Sequence, residues 1–127
     1  MRKILIIDDD VTIGDLEQEV LEREGYAVQQ AYSGTEALLL LKDSRPDLVL
    51  LDLGLGGSTT VGVEICRSLK ETHPEVKVLI FTGEILNEKL WVDVLDAGCD
   101  GIILKSGELL TRSDVLCVMQ GKRMVFN

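Results

Sequence analysis

Five short apolar blocks punctuate this chain, at about residues 3–8, 26–31, 47–52, 78–82 and 102–105. Four are continuous: Ile4-Leu5-Ile6-Ile7, Leu48-Val49-Leu50-Leu51, Val78-Leu79-Ile80-Phe81 and Ile102-Ile103-Leu104. Runs of this length, apolar at every position, predict strands buried on both faces of a parallel sheet. Between them the apolar positions recur at helical spacing. Asp10 offers an N-cap, and Val11, Ile13, Leu16, Val20 and Leu21 form one helical stripe up to Gly25, a C-terminal cap. Ser33-Gly34-Thr35-Glu36 matches a capping box and opens a second helix through the leucines at 38–41, which ends before Pro46. A third helix follows the turn-rich segment 54–60 and is stopped at about Thr72 by His73-Pro74. A fourth runs near 86–97 and ends at Gly98. Thr111-Arg112-Ser113-Asp114 is a second capping-box match and predicts a last helix at about 112–121. Strands alternating with helices predict an α/β fold built on a parallel sheet. No repeat, linker or low-complexity segment interrupts it, so residues 1–127 are expected to form a single domain.

Composition narrows the possible partners. With 46% hydrophobic residues, a chain of 127 can bury one real core. Its formal charge of −9 argues against direct binding of nucleic acid or an anionic membrane by this segment. Cys66, Cys99 and Cys117 are odd in number and widely spaced, which suits small buried hydrophobes in a reducing compartment better than disulfides or a zinc site. The apolar run after Met1-Arg2-Lys3 stops at three aspartates, unlike a secretory signal, and no stretch reaches the ~18 apolar residues of a membrane span. A cytoplasmic location is therefore expected.

The chemistry lies where the apolar runs stop. Ligands of parallel α/β sheets bind beyond the carboxyl ends of the strands. Here those ends carry Asp8-Asp9-Asp10, Asp52, Thr82 and Lys105. Any one of these has an ordinary structural use, as a helix cap, a strand end or a surface charge. Four at matching tips form a set that suits a divalent cation and a phosphoryl group. Magnesium takes octahedral oxygen ligands, one or two of them carboxylates, and Asp8, Asp9 and Asp52 supply carboxylates. Lys105 would neutralise a phosphoryl group on Asp52, a carboxylate being a competent phosphate acceptor, and Thr82 would donate a hydrogen bond to it. Other phosphate chemistries fit less well. The segment Gly54-Leu55-Gly56-Gly57-Ser58-Thr59-Thr60 lacks the lysine of a Walker loop. A flavodoxin-type phosphate loop would follow the first strand, where aspartates stand instead. A phosphatase with an aspartyl nucleophile would present a second aspartate two residues on, at the position of Gly54.

These motifs, in this order and spacing, resemble the receiver domain of bacterial two-component response regulators over essentially the whole chain. The resemblance rests on Lys3 to Asp10, on Pro46 to Leu53, on Phe81-Thr82-Gly83 and on Ala97 to Lys105. It implies a three-layer (βα)5 flavodoxin-like fold with sheet order 2-1-3-4-5. It implies a phosphoacceptor switch rather than a turnover enzyme, with Asp52 phosphorylated by a histidine kinase or phosphotransfer protein in the presence of Mg²⁺ or Mn²⁺. Asp9 would bind the metal directly and Asp8 through water, with Asp52 and the Gly54 carbonyl completing the protein ligands. Thr82 and Lys105 would contact the phosphoryl group, and Gly83 would leave it room. The switched surface, used for an output partner or a homodimer, would be that of the fourth helix, fifth strand and fifth helix.

Three positions depart from the family pattern. Ile102 stands where an aromatic residue usually couples to the threonine, and is expected to offer an apolar contact to a partner instead. Ser106 replaces the proline after the lysine, so a trans Lys105–Ser106 bond is expected, a cis bond costing ~3–4 kcal/mol without proline. Gly56 replaces a proline four residues after Asp52, and the glycine of the third helix comes late, as Gly62. That predicts a longer, more mobile loop beside the acidic residues. These departures leave one alternative, a pseudo-receiver that binds partners without phosphorylation. His73 is read as an exposed turn residue, Trp91 as a packing or surface residue of the fourth helix, and Met124-Val125-Phe126 as a tail that closes the core or leads onward.

Overall fold

A computed structural model describes residues 2–55, 59–83, 87–104 and 124–126. Within them the elements are β1 (Lys3–Ile7), α1 (Val11–Arg23), β2 (Ala27–Ala31), α2 (Gly34–Asp43), β3 (Leu48–Leu51), α3 (Thr59–Thr72), β4 (Lys77–Thr82), α4 (Glu88–Asp96), β5 (Gly101–Leu104) and β6 (Met124–Phe126). The strands form one sheet in the order β2-β1-β3-β4-β5-β6, every neighbouring pair parallel. The expected 2-1-3-4-5 order holds for the first five. β6 is an addition: the tail residues pair with β5, Gly101 opposite Met124 and Ile103 opposite Phe126. The helix expected at 112–121 lies outside the described residues.

Why the runs are apolar throughout is plain from their burial. One set of alternate residues (Leu5, Ile7, Val49, Leu51, Val78, Ile80, Ile102) packs under α2, α3 and α4 with Ala37, Leu41, Val63, Cys66, Leu69 and Val94. The other set (Ile4, Ile6, Leu48, Leu50, Leu79, Phe81) lies on the α1 side with Leu21 and Tyr26. A strand between two helical layers has no solvated face, so polar residues are pushed to its ends. The result is three layers with the polar chemistry at the rim.

The helix boundaries follow the expected signals. Asp10 caps α1 by accepting from the Ile13 N–H at 3.1 Å. Ser33 Oγ accepts from the Glu36 N–H at 3.1 Å, while Glu36 Oε1 accepts from the N–H of Tyr32, one residue before the cap. Gly25 (φ 96°) and Gly98 (φ 89°) follow α1 and α4 in the left-handed region, which a side chain disfavours.

Cys66 and Cys99 are buried free thiols, as expected, and Cys117 lies outside the described residues. Burial above all, then Cys99 and Asp100, pushes the Cys66 thiol up to about 12. Its S–H points at the Ala97 carbonyl, 3.8 Å away. No described helix is long and apolar enough to cross a membrane.

Candidate functional site at the strand tips

The register of the central strands assembles the site. Ile7 of β1 stands opposite Leu51 of β3, so Asp8 and Asp52, the next residues, leave the sheet side by side. Their backbones remain tied to it: Asp8 N–H donates to the Ala31 carbonyl at 3.1 Å and Asp52 N–H to that of Ile7 at 3.0 Å. Leu51 is opposite Ile80, which sets Asp52 level with Phe81 and Thr82 one step beyond. Thr82 is in turn opposite Leu104, the residue before Lys105.

Carboxylate oxygens of Asp8, Asp9 and Asp52 come within 4.8 Å of one another. Asp8 is buried, Asp52 half-buried and Asp9 exposed, so the cluster opens from the core to solvent. Asp8 Oδ1 accepts from the Asp10 N–H at 2.9 Å, which fixes its carboxylate in the turn that starts α1. Asp52 Oδ1 faces the Gly54 N–H at 3.3 Å, folding the next loop back over it. Two negative charges 4.8 Å apart repel by about 3 kcal/mol at an effective dielectric near 20, and by about 1 kcal/mol in water. A hard divalent cation relieves that repulsion, and an all-oxygen donor set with an exposed side suits one that keeps some of its water. The residues therefore fit magnesium or a similar ion. Among the described residues, no other three His, Cys, Asp or Glu side chains converge in this way.

The expected site residues are thus partly assembled. Asp8, Asp9 and Asp52 meet, Gly54 folds against Asp52, and Thr82 stands fully buried at the next tip. Gly83 follows Thr82 as an exposed residue. Lys105, Ser106 and the Lys105–Ser106 bond lie outside the described residues, as does the loop at 56–58 for which mobility was expected.

Two expectations are corrected. Ile102 is no partner contact: it is 0% exposed, facing the layer of α2, α3 and α4 with Ile80 and Val94. Strand alternation sends it inward, because its neighbour Ile103 takes the opposite face. His73 is half-buried rather than exposed, its N–H bonded to the Leu69 carbonyl at 2.7 Å and its Nδ1 2.8 Å from Thr72 Oγ1. Trp91 packs partly buried against the core, as read.

One contributor escaped the sequence reading. Gly62 lies in the first turn of α3, and a Cβ there would sit 2.7 Å from Leu53 Cα and 2.8 Å from Leu53 O. Its missing side chain lets α3 seat directly on the backbone next to Asp52. The late position of this glycine was visible, but the contact depends on packing between two elements and has no sequence signal.

With this geometry in place, the comparisons with known proteins agree. The model of the response regulator receiver domain matches residues 4–112. The response regulator MprA of Mycobacterium sp. (strain KMS) is 36% identical over 118 residues, which cover 90% of this chain and 50% of that protein. The chain thus spans about half the length of the curated relatives it matches. A CheY-like receiver domain protein from Methanospirillum hungatei JF-1 superposes with a TM-score of 0.81 at 30% identity, covering 94% of this chain and 91% of that one. A Burkholderia pseudomallei response regulator, solved with a phosphorylated aspartic acid, a calcium ion and citrate, gives 0.80 at 28%, covering 94% and 67%.

Proposed function

The chain belongs to the receiver-domain family of two-component response regulators, and from that membership we propose that Asp52 is its phosphoacceptor, in a domain spanning residues 1–127. The observation that carries this reading is the convergence of Asp8, Asp9 and Asp52 within 4.8 Å at two adjacent strand tips. A phosphorylated aspartate and a divalent ion in the Burkholderia relative lend it weight.

In this reading an Asp52 carboxylate oxygen attacks the phosphorus of a phosphohistidine on a sensor kinase or phosphotransfer protein. The P–N bond breaks, the imidazole leaves with a proton, and an acyl phosphate remains on Asp52. Asp8, Asp9, Asp52 and the Gly54 carbonyl would hold Mg²⁺ or Mn²⁺, which when bound offsets the charge of the incoming phosphoryl oxygens. Lys105 pairs with one of those oxygens, and the Thr82 hydroxyl donates to another. Water later attacks phosphorus and releases the Asp52 carboxylate, so the domain resets itself rather than turning over an external substrate. Capture of the phosphoryl group by Thr82 biases a two-state equilibrium of the surrounding elements. The output surface in this reading is the face of α4 and β5. Val92 and Leu95, exposed on α4, support it as a place for a partner, an output domain or a second copy. A cytoplasmic location belongs to the same reading, supported by a phosphodonor of the histidine-kinase type.

Intact mass after incubation with acetyl phosphate and Mg²⁺ tests the proposal. One added phosphoryl group is expected, absent without the metal and absent in Asp52→Asn. No addition, under conditions where another receiver domain reacts, would leave the pseudo-receiver reading in its place.

A further inference from the structure

α2 is more apolar than the fold requires. It carries four successive leucines, yet Leu41 alone is buried, while Leu38 and Leu39 are 52% and 57% exposed. Leu38 forms one wall of an open groove of about 450 Å³ between α2 and α3, with Leu41 and Leu69 at its base. Lys42, Arg45 and His73 line its rim, and no carboxylate is among the lining residues. The groove runs along the C-terminal halves of both helices, toward the edge where β3 and β4 begin. The acidic cluster stands at the opposite edge, so an occupant here leaves Asp52 accessible.

We propose that this groove docks an acidic amphipathic helix of a partner protein. The apolar base suits leucine-type anchors repeating at i, i+3, i+4 and i+7. The rim decides the charge of the occupant. On a chain of net −9, Lys42 and Arg45 put two cations and no carboxylate in the groove lining, so charge complementarity favours an acidic helix over a basic one here. Arg45 is held by Glu75 at 3.0 Å, but both side chains are more than half exposed, and such a pair exchanges partners at little cost. A second copy docked about a two-fold axis would set the same cations against each other, which disfavours a symmetric dimer on this face. Nucleic acid would meet an apolar base and a net-acidic body, which disfavours it as well.

The test uses two fluorescein-labelled synthetic helices of about 16 residues, long enough to span the groove at ~1.5 Å per residue. Both carry leucines at the anchor spacing; one is flanked by glutamates and the other by lysines. Fluorescence anisotropy with the whole chain is expected to show the acidic peptide binding roughly tenfold more tightly than the basic one. Leu38→Ser, a change at an exposed position, should weaken acidic-peptide binding at least about fivefold. Lys42→Glu/Arg45→Glu should reverse the preference between the two peptides. Thermal melting checks that both variants fold. Equal affinity for the two peptides, no binding below about 500 µM, or acidic-peptide binding unchanged in both variants would overturn the proposal. So would self-association of the protein alone that Leu38→Ser abolishes, which would give the face to a second copy.

Discussion

Gly62→Ala adds one methyl group at the point where α3 meets the segment after Asp52. That Cβ would stand 2.7 Å from Leu53 Cα, 2.8 Å from Leu53 O and 3.1 Å from Leu53 C. Carbon atoms rest about 3.5–4.0 Å apart, so the two backbones must separate by roughly 1 Å. Leu53 cannot swing away, because the contact is to its main chain and its side chain is wholly buried. Overpacking of this kind costs about 1–3 kcal/mol, and a rigid backbone contact puts it near the upper end. Alanine returns about 1 kcal/mol through its better helix propensity, leaving a net loss of about 2 kcal/mol. For a chain of this length that is a fall in Tm of roughly 8 °C. The separation also shifts the segment that follows Asp52, and a 1 Å misplacement in a reacting site can slow chemistry by about 100-fold. Gly25→Ala is the control: it strains a left-handed residue after α1 but meets nothing within 4 Å. Circular dichroism melting and the rate of phosphorylation by acetyl phosphate, read below both transitions, separate the two effects. Both variants should melt earlier, and only Gly62→Ala should slow phosphorylation, by at least about tenfold. A Gly62→Ala protein with the parent Tm and rate would refute the close approach and its role in placing Asp52.

Asp8→Asn keeps an oxygen for the Asp10 N–H while removing a buried charge from the carboxylate cluster. In metal-free buffer it should raise stability by about 1–3 kcal/mol, and the rise in Tm produced by millimolar Mg²⁺ should shrink; a lower Tm without metal would contradict the repulsion. Cys66 gives a pH dependence of definite sign. Its folded pKa of about 12 exceeds the ordinary thiol value of 9.0, so above pH 9 the unfolded chain loses a proton that the folded chain keeps. The associated stability is fully present below about pH 9 and is lost toward pH 12, with a slope of up to about 1.4 kcal/mol per pH unit. Urea titrations of the parent and Cys66→Ala at pH 8 and pH 10 should show a smaller alkaline loss in the variant, whatever its absolute stability; equal losses would place the thiol in water.

Much of this molecule is legible in its sequence because burial on both faces leaves polar residues only one place to go. The convergence of Asp8, Asp9 and Asp52 at the strand tips was readable for that reason, as was the place of Thr82 at the end of β4, and the helix caps at Asp10 and Ser33 because capping is local. What was not legible depends on surfaces meeting. The Gly62 contact joins α3 to the β3 tip, and the α2–α3 groove exists only once two helices lie side by side. Ile102 was misassigned because a run apolar at every position does not say which face a given residue takes. β6 is three residues long, too short for any periodicity to announce it.

The same continuous burial raises a further question about register. Where one face of a strand is solvated, a slip of one residue is penalised by burying polar groups; where both faces are apolar, that penalty vanishes inside the run. Yet the site exists only in one register, since Asp8 and Asp52 are neighbours because Ile7 is opposite Leu51. The structure supplies the missing constraint at the far edge. Asp47, just before β3, accepts the Lys3 N–H on its carboxylate at 2.8 Å and donates its own N–H to the Lys3 carbonyl at 2.8 Å. Asp100, just before β5, does the same to Val78, at 2.9 and 2.7 Å, and Lys70 Nζ holds its carboxylate at 3.0 Å. Each aspartate makes a side-chain and a main-chain bond to one residue of the adjacent strand, which a one-residue slip would break together. Asp47 thus fixes the β1–β3 alignment that brings Asp8, Asp9 and Asp52 together, while Asp100 fixes β5 against β4, where Thr82 stands opposite Leu104.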